Sequence, residues 1–152
     1  MNGKVIDREW IAERIPHKGD MVLLDRVLGW DEQRIRCSST THRNENNPLR
    51  ADGGVGALCA IEYAAQALAV HSVLLAPEIA GARAGYLTSV RAVELHEAQL
   101  DEAAELFIEA ERLSGDTMTA LYSFSVTAGD RPIAHGRIAA VLDAGALAGA
   151  PI

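Results

Sequence analysis

Ala57-Leu58-Cys59-Ala60-Ile61-Glu62-Tyr63-Ala64-Ala65-Gln66-Ala67-Leu68-Ala69-Val70-His71-Ser72-Val73-Leu74-Leu75 is the stretch on which the fold turns. It contains no Pro or Gly and is rich in Ala and Leu, which predicts a helix. At 1.5 Å per residue that helix is about 28 Å long, enough to run through a small domain. Apolar residues point in nearly every direction around it, the pattern of a helix buried on all sides. A single carboxylate, Glu62, stands in it, with Gln66 one turn on along the same face, placed to orient Glu62, to fill a buried polar gap or to bind substrate. Glutamate is almost never fully buried unless it is paired or used, so Glu62 leads the candidates for chemistry. Glu62, Gln66 and His71 interrupt the apolar run, and the helix is read as a protein core element, not a membrane span.

Upstream of the helix, residues 42–56 lose all periodicity, and a loop of this length in a compact domain is more often functional than idle. Gly53, Gly54 and Gly56 permit close approach of a ligand, and the first helical amides are free to donate. Gly56 and Ala57 stand at the head of that helix. Earlier still, Asp7 is placed to cap a short helix bearing Trp10, Ile11 and Ile15, which Pro16 ends. His17-Lys18-Gly19-Asp20 follows as a loop, then a strand from Met21 to Trp30, a turn, and a return strand from Arg34 to Thr41. Downstream of the helix four strands are expected, over 83–96, 103–112, 118–127 and 133–142. Ser114-Gly115-Asp116 and Ala128-Gly129-Asp130-Arg131 serve as turns. The order is α+β: one antiparallel sheet curled around one apolar helix, a single domain over 1–145 with a mobile tail at 146–152.

The net charge of −7 argues against a nucleic-acid binder. The charge is uneven: residues 1–50 hold nine Lys+Arg against eight Asp+Glu, and residues 51–152 hold five against thirteen. Arg34, Arg36, Arg43 and Arg50 fall together just before the helix, as a solvated strand edge or a docking patch for an acidic partner. The N-terminus lacks the apolar core of a secretion signal, so a cytoplasmic protein is expected. Cys37 and Cys59 give neither a disulfide framework nor zinc spacing and read as packing residues. His96 and His135 fall in strands without evident partners, and the five histidines form no metal constellation. No cofactor or metal is expected.

Ile15-Pro16-His17, then Met21-Val22-Leu23-Leu24-Asp25-Arg26-Val27, then Glu62-Tyr63-Ala64-Ala65-Gln66 resemble, in order and spacing, the hotdog-fold 3-hydroxyacyl-[acyl carrier protein] dehydratases. The helix is similar in particular to the dehydratase-like hotdog proteins of aryl polyene biosynthesis clusters. The resemblance implies a hotdog fold, a dimer (homo or hetero with another hotdog dehydratase), and elimination of water from a (3R)-3-hydroxyacyl thioester on acyl carrier protein. It implies that Glu62 protonates the leaving hydroxyl, that a His removes the proton beside the carbonyl, and that amides at the head of the helix, those of Gly56 and Ala57 here, polarise the thioester. Burial among apolar residues would keep such an acid protonated. Arg34, Arg36, Arg43 and Arg50 would then meet the acidic carrier.

One feature of the family pattern is missing. Its catalytic His lies fourteen residues before the helix acid, where this chain has Pro48. Three sources of the base are open: His17, in the segment that lines the family's acyl tunnel; His42 or Asn47, through a rearranged loop; or a His from a more typical partner chain. A poorly active partner subunit and an acyl-thioester hydrolase stand as alternative functions, since fold alone does not separate them.

Overall fold

The computed structural model describes residues 5–76, 86–116 and 118–141. Its elements run β1 (Ile6–Asp7), α1 (Arg8–Arg14), β2 (Arg26–Trp30), β3 (Arg34–Ser39), β4 (Arg50–Ala51), β5 (Gly54–Val55), α2 (Ala60–Leu75), β6 (Tyr86–Leu95), β7 (Leu106–Gly115), β8 (Thr119–Ala128) and β9 (Arg131–Val141). Seven strands form one antiparallel sheet in the order β1-β2-β3-β7-β8-β9-β6, and β4 and β5 make a separate hairpin. The tail at 146–152 and the connection expected from Pro77 to Gly81 lie outside the described residues.

Alternation decides which side of the sheet carries the helix. In β8, Ala120, Tyr122, Phe124, Val126 and Ala128 are buried while the residues between them are not. That is the period-two pattern of a sheet covered on one face. Helix α2 lies on this face, with Tyr63, Ala64, Ala67 and Val70 in the same core as Ile35, Cys37, Leu106 and Ile108. By length and hydropathy residues 57–75 would pass for a membrane span; their place against the sheet gives that apolarity another cause.

Several polar side chains inside this core find partners there. The Tyr63 hydroxyl meets Thr41 Oγ1 at 2.9 Å and accepts from Asn47 Nδ2 at 3.2 Å. His71 lies on the side of α2 away from Glu62, its Nε2–H donating to the Asp31 carbonyl at 2.7 Å and its Nδ1 accepting from the Tyr122 hydroxyl at 2.5 Å. Burial holds the His71 imidazole below its ordinary pKa of 6.5, in keeping with a neutral ring in this tautomer.

Two expectations change. The strand expected from Met21 begins only at Arg26, because the backbone of Leu23 is claimed by side chains. Its N–H donates to Gln66 Oε1, and its carbonyl accepts from the Ser39 and Thr41 hydroxyls. The loop from 42 to 56 is also less irregular than its composition suggests. It contains a turn of 3-10 helix at Thr41–Arg43 and the β4–β5 hairpin, closed by Asp52 and Gly53 at φ 53° and 82°.

Candidate active site

Helix α1 brings the first wall of the site into place. Asp7 caps it by accepting from the Trp10 N–H at 2.9 Å, and Lys18 folds back to donate to the Ala12 and Ile15 carbonyls at its other end. Pro16 cannot continue the helix, so the chain turns and carries His17 over α2. Between this turn and α2 is a pocket of about 320 Å³. Arg14, Ile15, Pro16 and His17 form one side, and Glu62, Ala65, Leu68, Ala69, Ser72 and Val73 form the α2 side. Leu87, Ala140 and Val141 of β6 and β9 complete it.

The pocket exists because α2 is not buried all round. Glu62, Ala65, Ala69 and Val73 recur at three- and four-residue intervals and are only partly buried, leaving one stripe of the helix open. The reading of Glu62 as an acid sunk wholly in apolar surroundings is corrected accordingly. It stands on a pocket wall, and no described residue hydrogen-bonds or ion-pairs with it. The Ser72 hydroxyl is spent on the Leu68 carbonyl at 2.9 Å. The polar groups left facing an otherwise apolar space are Glu62, His17 and Arg14.

His17 lines the same pocket. Its Nδ1 is buried with no hydrogen-bond partner. Burial pushes its pKa below 6.5, with the charge of Glu62 acting against that shift and the charge of Lys18 adding to it. A neutral imidazole with an uncommitted nitrogen is able to accept a proton. Arg14 is partly occupied: its guanidinium lies 4.2 Å above the Trp10 ring and donates to the Trp10 carbonyl at 3.2 Å. The sequence reading missed Arg14, although its place three residues before His17 was a signal.

The other candidates are positioned for different work. Gln66 is fully buried, accepting from the Leu23 N–H at 2.8 Å and donating to the Met21 carbonyl at 2.6 Å. It fastens the segment before β2 to the helix and offers nothing to a substrate, which corrects its assignment as a binding residue. Gln66→Leu leaves two backbone groups without partners and is expected to cost about 2–4 kcal/mol. Urea denaturation would show this as a lowered midpoint. Gly56 and Ala57 precede α2 on a turn of 3-10 helix and do not line the pocket. The Ala57 N–H already donates to the Ala98 carbonyl at 3.0 Å, so it is not free to polarise a thioester; beside Gly56 there is open space.

The four arginines do not form a free basic patch. Arg34 pairs with Glu111 at 3.7 Å, Arg36 with Glu109 at 3.2 Å, and Arg50 with Glu102 at 2.8 Å. Arg43 donates to the Glu102 and Ala103 carbonyls at 2.7 and 2.6 Å. His42 is fully buried, tied through Nε2 to the Asp101 carbonyl at 2.7 Å, and Asn47 is bonded to Thr41, Tyr63 and Leu49. Neither faces the pocket, which removes both as the base. Burial and the charge of Glu62 push the Cys59 thiol up, and burial does the same to Cys37, so neither is a poised nucleophile. His96 and His135, expected to be unpartnered, are hydrogen-bonded to each other at 3.0 Å. No group of three or more potential metal ligands converges among the described residues.

Comparison with known proteins places this geometry. A family model described as ApeP-like, ApeP dehydratase, matches residues 9–146. No curated protein matches the sequence. Among solved structures, the dehydratase heterocomplex ApeI:P from Xenorhabdus doucetiae superposes with a TM-score of 0.77 at 24% identity, covering 90% of each chain. Zebrafish thioesterase superfamily member 2 gives a TM-score of 0.60 at 15% identity, over 89% of this chain and 92% of that one. A hypothetical thioesterase with coenzyme A from Streptococcus pneumoniae gives 0.55 at 13%, over 76% and 82%. The architecture is the hotdog fold.

Proposed function

The chain belongs to the ApeP-like dehydratase family, and from that membership we propose that it eliminates water from a 3-hydroxyacyl thioester held on acyl carrier protein, working beside a second hotdog chain. The observation that carries this reading is the meeting of Glu62 and His17 on one apolar pocket.

The acyl chain lies along the stripe of Ala65, Ala69 and Val73, which offers small apolar side chains and no hydrogen bond to compete for it. His17 takes the proton from the carbon beside the thioester carbonyl, and the electrons move toward the carbonyl oxygen. As they return, the bond from the third carbon to its hydroxyl breaks, and Glu62 supplies the proton that lets the hydroxyl leave as water. The site is left with a protonated His17 and an ionised Glu62, and one proton passed between them restores it.

A second chain is favoured by the open edge of the sheet. Strand β6 is ten residues long, ends the sheet, and exposes Val90 and Leu95. Its Leu87 also lines the pocket, so a chain paired there would close the site from water. The structure named for ApeI:P is a complex of two such proteins, which supports a hetero-pair.

The test is a product assay on a 3-hydroxyacyl carrier protein, with this chain alone and with a second hotdog dehydratase. Loss of one water from the carrier-bound acyl group is the expected result. Free acid and free carrier thiol would show hydrolysis instead and overturn the reading.

A further inference from the structure

We propose that His96 and His135 form a binding site for a divalent transition-metal ion on the face of the sheet away from α2, with Glu94 as the carboxylate that orients it. Of the five histidines, His71 is buried with both ring nitrogens bonded, His42 is buried with Nε2 tied to the Asp101 carbonyl, and His17 belongs to the pocket. His96 and His135 come together from opposite sides of a strand pair, their rings stacked 5.0 Å apart and His96 Nε2 lying 3.0 Å from His135 Nδ1.

With both rings neutral, the hydrogen bonds assign the nitrogens. His135 Nε2–H donates to Glu94 Oε2 at 2.6 Å, which leaves Nδ1 with its lone pair facing His96. His96 Nε2–H donates to that lone pair, and its own Nδ1 is the bare nitrogen. When a metal binds, the His96 proton moves from Nε2 to Nδ1, and two lone pairs become available with no net loss of a proton. A carboxylate holding the far N–H of a ligating imidazole is the arrangement that fixes tautomer and raises ligand strength at metal centres.

The spacing also selects the ion. With metal–nitrogen bonds of about 2.1 Å, two nitrogens 3.0 Å apart subtend about 90° at a cation set off the line between them. That angle suits adjacent positions of a tetragonal or octahedral ion, Cu²⁺ or Ni²⁺, better than tetrahedral Zn²⁺.

The backbone is bent to make this cluster. Between Arg91 and Glu94 the β6–β9 register shifts, with Ala92 in the left-handed region at φ 52°, a strained conformation for a residue with a side chain. Gly136 of β9 admits the bulge: a Cβ there would meet the Val93 side chain at 3.0 Å and the Arg91 carbonyl at 3.2 Å. Past the bulge Glu94 stands directly opposite His135, and the His96 N–H is tied to the Ile133 carbonyl at 2.8 Å. A bulge that re-aims side chains in this way is a device more than a defect.

The test is calorimetric titration of the untagged full chain with Ni²⁺. One equivalent is expected to bind saturably, with His96→Gln or His135→Gln each weakening affinity at least tenfold and Glu94→Gln weakening it about tenfold. All three residues are solvent-exposed, and circular dichroism of each variant checks that it folds. Electron paramagnetic resonance of the Cu²⁺-loaded chain should show two imidazole nitrogens, falling to one in either His variant. Absent or non-saturable binding, or isotherms unchanged in both His variants, would overturn the proposal.

Discussion

Glu62→Gln is expected to lower the rate of dehydration by about 10²–10⁴-fold, the usual contribution of a positioned general acid. The amide keeps the volume of the side chain and its place on the α2 wall, but it has no proton to give to the leaving hydroxyl. The change is clean for a structural reason: no described residue leans on Glu62 for a hydrogen bond. Stability should therefore stay within about 0.5 kcal/mol of the parent, as for other substitutions away from packed or paired groups. Binding should persist as well, since the apolar stripe of Ala65, Ala69 and Val73 is untouched. The measurement is the single-turnover rate on a 3-hydroxyacyl carrier protein in the reconstituted pair, with the melting temperature beside it. A rate within a few-fold of the parent and an unchanged melting temperature would strip Glu62 of its role as the acid.

How much of this was legible before the coordinates depends on the range of the interaction concerned. The helix, the antiparallel strands and the turn at Pro16 follow from local periodicity and backbone chemistry, and all were readable. That Glu62 and His17 line one pocket could be anticipated only through the resemblance to a family; no local pattern joins residues 45 apart. What failed were most statements about a side chain's long-range partner. Gln66 shares a face with Glu62 on a helical wheel, yet its amide is drawn to the backbone of Met21 and Leu23, which no helical wheel contains. Arg34 and Arg36 stand close in sequence and looked like a patch, but β7 pairs in register with β3 and sets Glu111 and Glu109 opposite them. The Ala57 amide looked free because helix heads usually are, and the Ala98 carbonyl took it. The all-round apolarity of α2 hid the open stripe for a related reason: Ala and Val serve equally well in a core and along a pocket meant for an acyl chain.

His17→Gln carries the second large effect and decides whose imidazole does the work. Loss of the base is expected to lower the rate by about 10²–10⁴-fold, and the pH profile makes the result specific. A base acts in its neutral form, so kcat/KM should fall as pH drops through the His17 pKa. Burial sets that pKa below 6.5, so the acidic limb should lie below the position of an exposed histidine. In His17→Gln the limb itself should vanish along with the rate. A base supplied by a second hotdog chain would leave both rate and limb intact in His17→Gln. The matching His of the partner would then have to be the sensitive one. The two outcomes cannot coincide, because one proton leaves the substrate and one nitrogen receives it. If the limb survives without His17, this chain contributes a pocket wall and an acid to chemistry begun by its neighbour.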